Sequence, residues 1–484
     1  MQAAALETDP TADRPQDIPL VVDLDGTLCC TDTLHEGLIA LIATNPRVIF
    51  QLLKWLPGGR AGFKARLADQ GLVDPSELPL NEAVIEMIKA ARDAGRQVAL
   101  VSAADHRQVT AVAEAIGLFD AAYGTAEGNN LKGPAKAAFL SELYGAGKFD
   151  YIGDSEADLA VWEVARRAIT VRAGPKLRQA ARTANAEVHH IDPPAPRHRA
   201  MLRALRPHQW SKNMLMFLPA LAAHDLTRLW PVSFGFIAFC FAASAVYVIN
   251  DLLDLAADRA HPRKRLRPFA AGELSAATGA AMAGGLLALA AIFGALTGQT
   301  IFLMTLVLYL LTTFAYSFWL KRKLIVDVIT LAGLYTVRIV AGAAAAALIL
   351  SPWLLGFSMF LFLALAAVKR QAELTDQLAS GRTSAGRAYE VEDLPIIRGI
   401  ALSASQAAVL VLALYISSDA VQMLYATPTM LWMICPILLY WSTRMVMKAH
   451  RGAMPDDPIV FAATDGVSLF LIATSTVITL LATF

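Results

Sequence analysis

Charge is scarce in this chain, and so is cysteine. Only 17% of the 484 residues are Asp, Glu, Lys or Arg, against 56% hydrophobic, which is apolar for a soluble protein. The four cysteines cannot frame a disulfide scaffold: Cys29 and Cys30 are adjacent, while Cys240 and Cys435 lie in apolar runs, where buried thiols are expected. A net charge of +1 gives no global excess of either sign, so no nucleic-acid partner is expected and charge has to be read locally. A basic n-region followed by an apolar h-region is also missing from the start. Residues 1–17, with "ETDPTADRPQD", read as a polar, disordered lead, and the half that follows is expected to stay in the cytoplasm.

What is present differs between the two halves. Up to about residue 200 charged and apolar residues mix as in a soluble α/β domain; beyond Ser211 the chain becomes a succession of apolar runs, each of roughly the 20 residues that a helix needs to cross a bilayer. In the first half "IPLVVDLDGTL", "QVALVSA" and "FDYIGDS" are short apolar strands that end in Asp or Ser, separated by helical stretches such as "LNEAVIEMIKAARDAG" and "AKAAFLSELYG". That alternation predicts a parallel sheet, with ligands at the carboxyl ends of its strands. Residues 29–95 form a mostly helical insert. Its apolar segment "LIALIATNPRVIFQLLKWLPGG" reads either as an ordinary helical cap or as a surface lying against the membrane or the second domain.

The polar strand ends resemble the four motifs of haloacid dehalogenase-type phosphatases over about residues 19–172: "DLDGT", Ser102, a lysine of "LKGPAK", and "GDSEAD". The resemblance implies an α/β Rossmann-like domain with a helical cap over residues 18–182. Asp23 would be the nucleophile on phosphorus. Asp25 would protonate the leaving oxygen and later activate water. Asp154 would hold Mg²⁺ with Asp23 and Asp25, and Asp158 would be a ligand or its support. Ser102 and a lysine would hold phosphoryl oxygens. Lys136, which opens the helix "AKAAFLSEL", fits the third motif better than the alternative, Lys132.

Residues 183–205, proline-rich and basic, read as a linker. Residues 206–484 read as an all-α membrane bundle of about nine spans, at roughly 212–223, 231–252, 274–297, 299–319, 324–348, 353–371, 398–418, 428–447 and 459–483. Basic residues collect in alternate loops: Arg259, Arg263, Lys264, Arg265 and Arg267, then Lys321, Arg322 and Lys323, then Lys369, Arg370, Arg382 and Arg387, then Lys448 and Arg451. The other loops are nearly bare apart from Arg228. The positive-inside rule then places those loops and the N-terminal half in the cytoplasm. Charge gathered on one side of the bundle leaves no polar path across it, which argues against a transporter.

After the second run comes "NDLLDLAADRAHPRKRLRP". Asp251, Asp254 and Asp258 fall at i, i+3 and i+7, on one face of a continuous helix. Three carboxylates this close repel, a pattern that suits Mg²⁺ shared with a diphosphate. With Asn250 and the returning "RP" at Arg267, the stretch resembles the NDxxDxxxD motif of the UbiA superfamily of intramembrane prenyltransferases, over about residues 200–484. The resemblance implies a helical bundle with a polar cavity facing the cytoplasm and Mg²⁺-assisted loss of diphosphate.

Members that alkylate aromatic acids carry a second DxxxD motif on a later loop. Here that loop reads "VKRQAEL", with Lys369, Arg370 and Glu373 where aspartates are expected. That departure, with "RPHQWSKN" (Lys212 and Asn213), "YSFWLKR" (Tyr316 and Lys321) and "DDPIVFAATD", is similar to the decaprenyl-phosphate phosphoribosyltransferase branch. The branch implies phosphoribosyl diphosphate and a polyprenyl phosphate as substrates, a bacterial inner membrane and cell-wall biosynthesis. It leaves chain length and oligomeric state open. Arg338, inside an apolar run, is a substrate-binding candidate because an intramembrane arginine is costly without a role. The alternative is a prenyltransferase that uses a polyprenyl diphosphate to alkylate an aromatic or other small acceptor.

Overall fold

Six short strands form one parallel sheet in the computed structural model, in the order β3-β2-β1-β4-β5-β6. They are β1 (Leu20–Val22), β2 (Val98–Asp105), β3 (Ala121–Thr125), β4 (Asp150–Gly153), β5 (Arg167–Val171) and β6 (Val188–Ile191). The structure describes residues 18–45, 48–55, 66–67, 69–70, 73–126, 130–192, 196–380, 388–455 and 457–484. The polar lead 1–17, part of the insert (56–65), and Arg382 and Arg387 lie outside the described residues.

The inner strands β1, β2, β4 and β5 are buried on both faces, which is why they read as largely apolar runs rather than alternating ones. Leu20 and Val22 of β1 and Val98 and Leu100 of β2 enter one core; Val21, Ala99 and Val101 between them enter the other. The chain leaves β1 toward β2 and β3 on one side, then returns to β4, β5 and β6 on the other. The switch point therefore lies at β1 and β4, where an open α/β sheet has its ligand crevice. β6 falls inside the stretch 183–205 expected to be a linker, so the sheet runs further along the chain than its motifs do.

The chain divides into two units, and the division is not the one expected. Residues Met1–Leu205 group with Val248–Met282, and Arg206–Tyr247 groups with Ala283–Phe484. The aspartate-rich segment thus belongs to the unit that contains the sheet. Its anchor is a buried ion pair: Arg259, just past Asp258, donates to both carboxylate oxygens of Glu36 at 2.8 and 3.1 Å. Glu36 lies on the helix Thr33–Thr44 of the insert and is 4% exposed. Removing one partner of a buried pair strands the other charge, at a cost of about 3–5 kcal/mol, whereas replacing both by apolar groups is often near neutral. Glu36→Ala is accordingly expected to lower the thermal midpoint of the purified protein by several degrees, and Glu36→Leu with Arg259→Met to recover most of it, as read by differential scanning fluorimetry.

In the second unit, apolar helices pack around cores that include one on Tyr335, Phe362 and Met445, one on Phe239, Phe302 and Tyr309 and a smaller one on Ile416, Tyr425 and Leu431. Among the described residues eight helices in the chain are long and apolar enough to cross a membrane: Leu226–Leu253, Ala276–Ala295, Thr300–Phe318, Val326–Ala345, Pro352–Ala379, Val391–Ile416, Pro428–His450 and Gly466–Thr483. The expected first span, 212–223, is not among them. It folds as a 3-10 helix, Pro207–Phe217, followed by a short α-helix, Leu218–Ala222. Pro219 explains the break, since it has no N–H to donate and is tolerated only in a helix's first turn. The 3-10 segment runs hard against the helix Val326–Ala345: a Cβ on Gly342 would lie 2.0 Å from the Met216 carbonyl oxygen, so only glycine admits this approach.

Candidate active sites

The first site is assembled at the switch point. Asp23 and Asp25 leave the end of β1, Ser102 lies within β2, and Asp154 and Asp158 follow β4. Lys136, in the helix Pro134–Tyr144, is 3% exposed and reaches back to Asp23 Oδ1 at 2.9 Å and to the Tyr151 hydroxyl at 2.8 Å. Lys132 is exposed. Of the two lysines left open by the sequence, Lys136 is therefore the one beside the carboxylates.

Asp158 is fully committed to the protein. Its Oδ1 accepts from the Tyr151 hydroxyl at 2.8 Å, and its Oδ2 accepts from the N–H groups of Asp154 and Ser155 and from the Ser155 hydroxyl. This fixes the loop that carries Asp154. Asp25 Oδ1 accepts from the Thr33 N–H at 2.7 Å, at the start of the insert's first helix. The Ser102 hydroxyl, 1% exposed, accepts from the Ala104 N–H at 3.1 Å. Asp23, Asp25, Ser102, Lys136, Asp154 and Asp158 line one cavity of about 540 Å³.

Carboxylates crowd this cavity. Carboxylate oxygens of Asp23, Asp154 and Asp158 all lie within 4.8 Å of one another. Burial, reinforced by neighbouring carboxylates, pushes Asp154 up to about 8. Burial raises Asp23 to about 6 against the opposing pull of Lys136, and burial with Asp32 nearby raises Asp25 to about 7. Crowded oxygen ligands, hard and anionic, fit Mg²⁺. Asp25, expected with the metal ligands, is not in the trio; it is held at the insert's helix instead.

Gly26 sets the spacing. Its φ of +77° is left-handed, and a Cβ there would lie 2.1 Å from Asp154 Oδ2. Gly26→Ala is expected to displace Asp154 and to lower phosphomonoester turnover by about 100-fold, the scale of an ångström-sized misplacement. Mg²⁺-dependent release of phosphate from a model ester checks this.

The aspartate-rich segment differs from the single helical face expected of it. The helix Leu229–Leu253 stops, Asp254 takes φ −97° and ψ 14°, and a short helix, Leu255–Ala260, resumes. Asp251 and Asp258 are buried, at 3% and 1% exposure. Both accept from Arg267 Nη1, at 3.2 and 2.6 Å. Asp254 is exposed and Asn250 half-buried. Among the described residues these three aspartates do not form a trio of converging oxygens. Asp251 and Asp258 form a pair that shares the Arg267 guanidinium.

The second unit holds two buried polar networks. In one, Lys212 pairs with Asp457 and lies 5.9 Å from the centre of the Tyr335 ring. Arg338 donates to Asn213 Oδ1 at 2.9 Å and stacks near Tyr309 and Tyr335. In the other, Arg370, 1% exposed, pairs with Asp327 and Glu373, and the Tyr316 hydroxyl donates to Asp327 Oδ1 at 2.8 Å. Lys369 contributes favourably to the Asp457 carboxylate, after Lys212. Lys321 sits on the short turn Leu320–Arg322 and joins neither network. Tyr151, Tyr309, Tyr335 and Asp457 are participants that motif spacing alone did not single out. Asp457 lay in a quoted stretch, but its partner is 245 residues away.

A family model, UbiA prenyltransferase family, matches residues 214–473. The chain belongs to that family. Uncharacterized protein y4nM of Sinorhizobium fredii is 39% identical over 464 residues, which is 94% of this chain and 89% of that protein. The decaprenyl-phosphate phosphoribosyltransferase of Mycolicibacterium smegmatis is 39% identical over 192 residues, 38% of this chain and 59% of that protein. Among solved structures, a UbiA homologue from Archaeoglobus fulgidus bound to GPP and Mg²⁺ covers 58% of this chain and 99% of its own, with 17% identity and a TM-score of 0.46. Family membership and the eight apolar helices make this an integral membrane enzyme. The first unit brings together at one cavity Asp23, Asp25, Ser102, Lys136, Asp154 and Asp158, the residues whose motifs resemble those of haloacid dehalogenase-type phosphatases.

Proposed function

We propose that the chain transfers a 5-phosphoribosyl group from phosphoribosyl diphosphate to a polyprenyl phosphate, and that its phosphatase domain then removes the 5-phosphate. The observation that carries the first step is the network around Arg370. Where prenyl-diphosphate enzymes would present a second aspartate pair, this chain has a buried arginine held by Asp327 and Glu373. The 39% identity to a decaprenyl-phosphate phosphoribosyltransferase supports the same reading.

The chemistry suits the residues. A phosphate monoester carries close to two negative charges at neutral pH, so the lipid phosphate needs no general base. One of its oxygens forms the new bond to the ribosyl anomeric carbon as the bond to diphosphate breaks and the electron pair leaves with the diphosphate. Asp251 and Asp258 would hold Mg²⁺, which supplies charge neutralisation for that departing group. Asp254, Asn250 and Arg267 would border it. Lys212, Asn213 and Arg338 would bind phosphate oxygens, with Tyr316, Lys321, Lys369, Arg370 and Glu373 shaping the remaining substrate contacts.

In the second step Asp23 attacks phosphorus while Asp25 protonates the departing 5-oxygen. Water, activated by Asp25, then releases inorganic phosphate and restores Asp23. Ser102 and Lys136 hold the non-bridging oxygens, and Asp158 fixes Asp154 for the metal. Both sites would face the cytoplasm, so the product need not cross the bilayer between steps.

The test is product analysis with purified protein, Mg²⁺ and a polyprenyl phosphate, using ribose-labelled phosphoribosyl diphosphate. Labelled lipid with stoichiometric release of diphosphate is expected. Labelled lipid absent, but an aromatic acceptor alkylated from a polyprenyl diphosphate, would replace this reading by prenyl transfer.

A further inference from the structure

Hydrolysis of a phosphomonoester uses the buried end of the cavity in the first unit. The open end carries cations that this chemistry leaves unused. Lys132 and Arg197, both exposed, and Arg172 line it. Arg172 is held in a left-handed conformation, φ 52°, uncommon for a residue with a Cβ and a sign of local strain. It clamps the rim, donating to the carbonyl of Cys30 at 3.2 Å and to that of Gly272 at 2.8 Å. Arg197 donates to the Thr278 hydroxyl at 2.6 Å. Glu273, which also lines the cavity, is paired with Arg203.

The rim is also unusual in where its residues come from. Glu273 and Ser275 line the cavity, yet they follow the aspartate-rich segment, and Ser275 immediately precedes the apolar helix Ala276–Ala295. Arg197 opens the helix Arg197–Leu205, whose Leu202 is 56% exposed. A rim joined directly to an apolar, membrane-length helix suits a substrate whose far end is in lipid. Arginines beside it suit a second phosphate between sugar and lipid.

The geometry points to a second anion subsite at the open end of the phosphatase cavity, formed by Arg172 and Arg197, that takes the phosphodiester of a lipid-linked phosphosugar. This rests on the 5-phosphatase reading and adds to it the residues that recognise the lipid-linked phosphodiester. A free sugar carrying phosphates at both ends would offer the same second anion; the lipid-linked form is favoured by the attachment of the rim to the apolar helix.

The experiment measures release of inorganic phosphate by the full chain in nanodiscs with Mg²⁺ and no polyprenyl phosphate. Four substrates are compared: a decyl phosphodiester of 5-phosphoribose, the uncharged 1-O-decyl 5-phosphoriboside, ribose 5-phosphate and phosphoribosyl diphosphate. The decyl phosphodiester is expected to exceed the uncharged riboside in kcat/KM by about tenfold or more, the scale of one or two charge-assisted hydrogen bonds. Arg197→Ala should collapse that ratio toward one and Arg197→Lys should retain part of it. Arg199→Ala, exposed on the same helix, should leave the ratio as it is. Equal turnover of the charged and uncharged decyl compounds overturns the subsite, as does an equal loss on all four substrates in Arg197→Ala. Phosphoribosyl diphosphate hydrolysed as well as the decyl phosphodiester overturns the lipid-linked class. No hydrolysis of any of the four by wild type would instead overturn the 5-phosphatase reading itself.

Discussion

Asp23→Asn is expected to abolish phosphate release, lowering kcat by about 10⁴-fold or more, because an amide cannot form the acyl phosphate through which the ester is cleaved. Asn keeps the shape of Asp and still offers an oxygen to Lys136, which now donates to Asp23 Oδ1 at 2.9 Å, so the fold should persist. Asp25→Asn should lose less, about 10²- to 10⁴-fold, the range of general acid–base catalysis. A leaving group of low pKa should rescue its first step, read as a burst of the leaving group, since such a group departs without a proton, while hydrolysis of the acyl phosphate stays slow. Rescue of Asp25→Asn but not of Asp23→Asn by a nitrophenyl ester separates the two roles. Equal rescue of both would mean that Asp23 is not the nucleophile.

The second large effect falls on the aspartate-rich segment, and here the structure ranks residues that the motif treats alike. Asp251 and Asp258 are buried and share Arg267, while Asp254 is exposed at a break between helices. Asp251→Ala and Asp258→Ala are expected to reduce lipid labelling by about 10³-fold, on the scale of removing a group that stabilises charge only in the transition state. Asp254→Ala should cost about tenfold and raise the Mg²⁺ concentration needed for half-maximal rate. An Asp254→Ala loss as large as that of Asp251→Ala would show that the segment closes into a three-carboxylate site during turnover.

Much of this was legible because short-range patterns carried it. Apolar strands ending in Asp or Ser fixed where Asp23, Asp25, Ser102 and Asp154 would meet, since a parallel sheet brings strand ends to one edge. The choice between Lys132 and Lys136 followed from position in a helix, and the geometry places Lys136 at Asp23. Apolar runs of membrane length were equally plain, except at 212–223, where Pro219 outweighs hydropathy, and at the start of 459–483, where the chain breaks at Asp465 and only Gly466–Thr483 is of membrane length. Three features were hidden for a common reason: they depend on partners far along the chain. Lys212 meets Asp457, Arg259 meets Glu36, and residues 248–282 join the unit of the sheet rather than the helices on either side of them. The interruption at Asp254 was missed because an i, i+3, i+7 pattern presumes a helix that continues.

The fusion makes chemical sense if the two steps share an intermediate, since hydrolysis of the 5-phosphate would draw the transfer forward. One measurement addresses that directly: wild type, Asp23→Asn and Asp251→Ala are given a polyprenyl phosphate and ribose-labelled phosphoribosyl diphosphate with Mg²⁺, and the labelled lipids are resolved by mass. The account predicts a dephosphorylated ribosyl lipid from wild type, the same lipid still bearing its 5-phosphate from Asp23→Asn, and no labelled lipid from Asp251→Ala. A wild-type product that keeps its 5-phosphate throughout, identical to that of Asp23→Asn, would contradict it.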